Sequence, residues 1–186
     1  MNKLKSKKRG FTLIESLLAI GVLIVGILSA FILVIRSLSN VPLIQSRLIA
    51  ANLAQEGIEL VRQKRDSNYL KGISWAVGFN IGCVCKDGLE LDDDCSFQLD
   101  TEDRVLKPYD RDDYLKLNPD TGKYGYGAGE MGPYYLKRRI EICFPEQNYA
   151  LMNSKEMRVK IFMNWKVKRN SFELVVEDHL FNYFNR

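Results

Sequence analysis

Glu15 is the first residue of this chain whose position calls for a chemical reason. It is the one charge inside an otherwise apolar run, FTLIESLLAIGVLIVGILSAFILVI, from Phe11 to Ile35. A carboxylate inside a membrane span costs about 2.5–3.5 kcal/mol on insertion scales, so such residues are usually kept for function. The plainer reading is an acid near a helix N-terminus, where it favours the helix dipole. The second reactive set is Cys83, Cys85, Cys95 and Cys143. An even number of cysteines behind an apolar N-terminal segment suits disulfides in an oxidising compartment. Cys83 with Cys85 is the least favourable pair, because a two-residue spacing on extended chain points both side chains the same way. Cys83–Cys95 with Cys85–Cys143, or Cys85–Cys95 with Cys83–Cys143, remain open. The alternatives are free buried thiols or a zinc site, and C-x-C is off the C-x₂₋₄-C spacing of structural zinc. His179 is the only histidine, a poor basis for imidazole chemistry. No nucleophile–base pair, phosphate loop or cofactor motif stands out.

These residues need elements to hold them. As a helix, the 25 residues from Phe11 to Ile35 reach about 38 Å, enough to cross a bilayer with some tilt. The chain has a net charge of +4, yet Lys3, Lys5, Lys7, Lys8 and Arg9 alone supply +5, leaving −1 on the rest. Residues 87–113 hold eleven acids and three bases. The positive charge is therefore a topology signal: residues 1–10 stay in the cytoplasm and the C-terminal bulk goes outside. A cleaved secretory signal would need a small-residue site after the run. The nearest, Leu28-Ser29-Ala30, has a large residue where a small one is wanted. An uncleaved signal anchor fits the hydropathy and leaves Glu15 unexplained.

Lys8-Arg9-Gly10-Phe11-Thr12-Leu13-Ile14-Glu15 resembles the cleavage motif of type IV prepilins: a basic leader, Gly, Phe, three residues, then Glu. The resemblance implies that a membrane-embedded prepilin peptidase and N-methyltransferase cuts after Gly10 and methylates the new N-terminus at Phe11. It implies that Glu15 pairs with the Phe11 amine of a neighbouring pilin subunit in a fibre. Further partners so implied are an assembly platform and membrane lipid. The location so implied is the inner membrane with the C-terminal domain outside, and then a surface fibre. Members of the family often carry proline at the position of Ile32. Its absence moves the expected loosening of this helix to Gly21–Gly26. Residues Ala51 to Arg62, ANLAQEGIELVR, followed by Arg65-Asp66, resemble PilV-like minor pilins.

The organisation expected is a leader (1–10), a transmembrane assembly helix (11–35), an amphipathic extension (36–67) and a β-rich domain (68–186). In the extension, Ile44, Leu48, Ala51, Ala54, Ile58 and Val61 recur at helical spacing, with Arg47, Gln55, Glu59 and Arg62 on the other side. Pro42 is expected to kink or break the helix. Glu59 and Arg62 form an i,i+3 pair. Asn118-Pro119-Asp120-Thr121-Gly122 signals a turn. Strands follow at Tyr135–Cys143, at Met157–Val167 with Val159, Ile161, Met163, Trp165 and Val167 on one face, and at Phe172–Val176 after a turn near Arg169-Asn170. Leu180 to Phe184 is an apolar end that packs back on the domain. The fold class is α+β: a long N-terminal helix on an antiparallel sheet.

Two charged patches admit functional readings. Asp92-Asp93-Asp94 with Asp110, Asp112 and Asp113 could hold calcium, but the spacing is not that of an EF-hand and a solvated surface accounts for it. Lys160, Lys166, Lys168 and Arg169, with Lys137-Arg138-Arg139 and an interleaved Phe162, could touch nucleic-acid phosphates. An exposed sheet face, or contact with a neighbour's acidic region, is the favoured reading. The leading expectation is a structural, non-enzymatic minor pilin or pseudopilin. The alternatives are a tip adhesin or DNA-binding minor pilin acting through the C-terminal domain, and an unprocessed signal-anchored surface protein.

Overall fold

The computed structural model describes residues 12–79, 83–85, 95–99, 106–145 and 154–183. The first element, α1 (Leu13–Leu70), is helical through Pro42, and the chain divides into two units at that residue, Met1–Pro42 and Leu43–Arg186. The expected break in the helix at Pro42 is thus absent. The missing N–H removes one hydrogen bond, and the neighbouring turns supply the rest of the ladder. In the first unit every described side chain from Thr12 to Val41 is exposed. Its hydroxyls bond back to their own helix, Ser29 Oγ to the Val25 carbonyl and Ser39 Oγ to that of Arg36, both at 2.8 Å. That is what a helix in hydrocarbon requires of its polar groups.

The strands of the second unit are β1 (Ser96–Leu99), β2 (Leu106–Pro108), β3 (Lys116–Leu117), β4 (Tyr124–Gly125), β5 (Glu130–Met131), β6 (Lys137–Cys143), β7 (Glu156–Val167) and β8 (Asn170–Phe181). The helix packs on a five-stranded antiparallel sheet of order β2-β1-β6-β7-β8, and a smaller sheet has the order β4-β3-β5. Alternation in β7 is as expected: Met157, Val159, Ile161, Met163 and Trp165 are buried, while Val167 at its end is half-buried. The β7–β8 hairpin turns at Lys168-Arg169, with Lys168 at φ 57°. β8 runs five residues beyond the expected Val176, because its polar residues find partners. Asp178 accepts from Arg62 at 2.9 Å, and His179 contacts Glu156. Leu180 is buried, whereas Tyr183 stays exposed with the Arg65 guanidinium over its ring. Phe184 lies outside the described residues.

The covered face of the helix matches the expected one at Ala54, Ile58 and Val61 and departs from it before them. The buried stripe is Ser46, Ala50, Leu53, Ala54, Gly57, Ile58 and Val61, while Ile44, Leu48 and Ala51 are exposed. The sheet selects small residues because it comes close. A Cβ added to Gly57 would lie 2.7 Å from Ile161 Cδ1, inside van der Waals contact. Ser46, just past Pro42, bonds to the Leu43 carbonyl at 2.9 Å and accepts from Trp165 Nε1 at 3.0 Å, which ties the start of this unit to β7. Ile44, Leu48 and Ala51 border an open groove of about 580 Å³ with Trp165, Phe172 and Leu174 opposite.

Disulfides join Cys83 to Cys95 and Cys85 to Cys143, one of the two open connectivities. All four sulfurs are consumed, so none is a thiolate for a metal. The Cys85 N–H donates to the Phe144 carbonyl, and the Phe144 N–H donates to that of Cys83. The two bridges close sequence separations of 12 and 58 residues. Chain entropy therefore makes Cys85→Ser/Cys143→Ser the more damaging pair, by about 1.4 kcal/mol over Cys83→Ser/Cys95→Ser. Urea unfolding of the two double variants under oxidising conditions measures the difference.

Candidate assembly site and the basic face

The assembly candidate is the first half of α1. From Leu13 to Ile35 it spans 23 residues, about 35 Å of helix against roughly 30 Å of hydrocarbon. Leu13, Leu17, Val22, Leu33 and their neighbours are all more than half exposed, and no described residue covers them. A surface of that size is not left to water: lipid or other helices must take it. Glu15 lies in the first turn, and its N–H donates to the Thr12 carbonyl at 3.0 Å. The carboxylate therefore sits at the positive end of the helix dipole. Gly10 and Phe11 lie outside the described residues.

Residues 5–32 match the family model of the prokaryotic N-terminal methylation motif. The chain carries a type IV pilin-like prepilin signal. That signal marks a chain processed by prepilin peptidase, anchored through its apolar helix and assembled with other pilin subunits. No curated protein and no solved structure matches the chain. The motif ends at Ile32, so the domain beyond it is read from its own geometry.

That geometry dismantles most of the basic stripe. Arg138 is fully buried and faces the helix, not solvent. Its Nη1 donates to the Leu53 carbonyl at 3.0 Å and to Glu56 Oε2 at 3.2 Å, and its Nη2 donates to the Leu99 carbonyl at 2.7 Å. Arg139 pairs with Glu141 at 2.7 Å and lies over the Phe162 ring. Lys160 and Arg158 share Glu177 at 3.4 and 3.3 Å. Lys166, Lys168 and Arg169 remain at the hairpin tip, too few to track a phosphate backbone. Asp92, Asp93 and Asp94 lie outside the described residues. Of the other acids, Asp110 accepts from the Asp112 N–H at 2.9 Å and Asp113 from the Tyr114 N–H at 3.0 Å, so both act as turn residues. No cluster suited to a metal ion occurs among the described residues.

Sequence reasoning missed the Arg138 clamp. Its one signal was Gly57, a helix-weakening residue directly after Glu56 in the middle of an amphipathic stretch. The clamp extends to Tyr126, whose hydroxyl donates to the Arg138 carbonyl at 2.7 Å. Burial pushes that phenol up to about 12, against a smaller opposing pull from Arg138. The unfolded chain releases the proton near pH 10, so this stabilisation is full below pH 10 and is lost as pH rises through 12, by about 3 kcal/mol at most. Tyr126→Phe is expected to flatten this alkaline limb and to lower stability at pH 8 by about 1 kcal/mol. Denaturant unfolding at pH 8 and pH 11.5 checks both.

Proposed function

We propose that this chain is a minor pilin or pseudopilin of a type IV pilus or related fibre. It is cut between Gly10 and Phe11, methylated on the Phe11 amine and polymerised through residues 11–35. The observation that carries this reading is the uncovered apolar helix, which holds a single acid at the fifth position of the mature chain. Cleavage removes five positive charges and exposes one amine. In a fibre that amine and the Glu15 carboxylate of a neighbour neutralise each other, which offsets the cost of burying either charge. The PilV-like stretch from Ala51 to Arg62 favours a minor subunit. The neutralised basic face counts against a nucleic-acid role. Intact mass of the protein from its native membrane tests the processing step. The expected value lacks Met1–Gly10 and includes one added methyl group. A retained leader would leave an unprocessed signal-anchored protein as the reading.

A further inference from the structure

We propose that Tyr135, with Tyr114, forms a stacking platform for a neutral carbohydrate on the outward domain. The observations are independent of fibre assembly and lie wholly within residues 43–186. Tyr135 has φ 48°, one of two non-glycine residues with positive φ among those described. A bulky side chain in that region is strained, and strain of this kind is concentrated at binding sites. Two hydrogen bonds enforce it from either side: the Lys166 N–H donates to the Tyr134 carbonyl at 2.9 Å, and the Leu115 N–H donates to the Leu136 carbonyl at 2.8 Å. The side chains alternate sharply across these three residues. Leu136 is buried, the Tyr134 hydroxyl reaches Gln45 on α1 at 3.3 Å, and Tyr135 is turned out to 52% exposure.

The ring is held in place. It meets Tyr114 edge-on, with centroids 6.1 Å apart and planes at 78°. Tyr114 is fixed in turn by the Lys137 ammonium, 4.2 Å from its ring centre, and Lys137 is anchored on the Arg111 carbonyl. A preorganised aromatic with an open face is what a ligand needs when its own gain per contact is small. The electronegative ring face attracts the polarised C–H groups of a pyranose. The loop bearing Tyr114 carries Asp110, Asp112 and Asp113. Against Arg111 and Lys137 these three carboxylates leave the surface net negative, and they accept hydrogen bonds from sugar hydroxyls, which favours a neutral saccharide over nucleic acid or an anionic glycan.

The test uses the full processed chain in a detergent without a sugar head group. Saturation-transfer NMR and intrinsic fluorescence are read with maltohexaose, chitohexaose, cellohexaose and sialyllactose. At least one neutral oligosaccharide is expected to bind, with transfer at its ring protons, and sialyllactose is not. Tyr135→Phe keeps binding. Tyr135→Gly weakens it by about tenfold or more, the scale of losing one stacking ring, while Tm holds or rises because glycine relieves the positive φ. Absence of binding by every neutral probe, preferential binding of sialyllactose, or a fall in Tm for Tyr135→Gly would each overturn the proposal. The last would show that the ring serves the fold alone.

Discussion

A chain carrying Glu15→Val is expected to enter the membrane at least as well as the unaltered chain, lose its leader, and then fail to enter fibres. The two halves of this result come from opposite signs of one charge. During insertion Glu15 is a liability of about 2.5–3.5 kcal/mol, so valine helps. On the proposed assembly reading, the carboxylate is the partner of an amine that cleavage creates. Valine leaves that neighbouring ammonium unpaired among apolar helices, at several kcal/mol. At 1.4 kcal/mol per factor of ten, incorporation drops by about a hundredfold or more. Immunoblots of sheared fibres and of the membrane fraction, taken side by side, read both halves. Equal incorporation of the variant would remove the pairing role from Glu15 and leave only its place at the helix dipole. Glu15→Gln should behave like valine in the fibre fraction, since the deficit is one of charge and not of shape.

How much of this was legible beforehand depended on whether a residue's type alone determined its surroundings. The period-two pattern of β7 was readable because each inward residue is large and apolar and each outward one is mostly polar. The span was readable because its length and its single acid need no tertiary information. The covered face of α1 was readable only in part: Ala54, Ile58 and Val61 were, but Ala50 and Gly57 carry little hydropathy. Gly57 is selected by the close approach of Ile161 and Ile140, which only the sheet's register reveals. Ile44 and Leu48 resemble core for the same reason in reverse: they are large, but the sheet ends beside them in an open groove. The disulfide connectivity was undecidable because Cys83 and Cys85 flank one residue. The parallel bridge of Val84 to Phe144 brings both Cys83 and Cys85 to the Cys143 end of β6 and does not by itself choose between them; the bond runs diagonally across it, from Cys85 to Cys143. Tyr135 gave no signal, since backbone strain is invisible in a sequence.

Arg138 is the largest misreading and carries the largest predicted effect within the domain. In the string Lys137-Arg138-Arg139 it resembles one of three surface cations, yet the strand period turns it to the helix side, where it is sealed. Arg138→Ala is expected to destabilise residues 43–186 by about 3–5 kcal/mol. It strips the Leu53 and Leu99 carbonyls and Glu56 of donors and opens a cavity beside Gly57. The fall in Tm is on the order of 10 °C. Arg138→Met is expected to lose much less. It keeps the volume, and it also removes the buried Nε, which has no hydrogen-bond partner among the described residues. Arg138→Lys should fall between them, because one ammonium cannot reach three acceptors on two elements as the planar fork does. Glu56→Gln should change little, since its side chain is about a third exposed and an amide oxygen still accepts. Thermal unfolding of the four variants, followed by circular dichroism, is expected to rank Glu56→Gln as the most stable. Arg138→Met, Arg138→Lys and Arg138→Ala follow in that order. If methionine proved as damaging as alanine, the guanidinium's hydrogen bonds and not its bulk would be what joins helix to sheet. The Leu53 and Leu99 carbonyls would then be the acceptors that matter, because Glu56 can turn to water and they cannot.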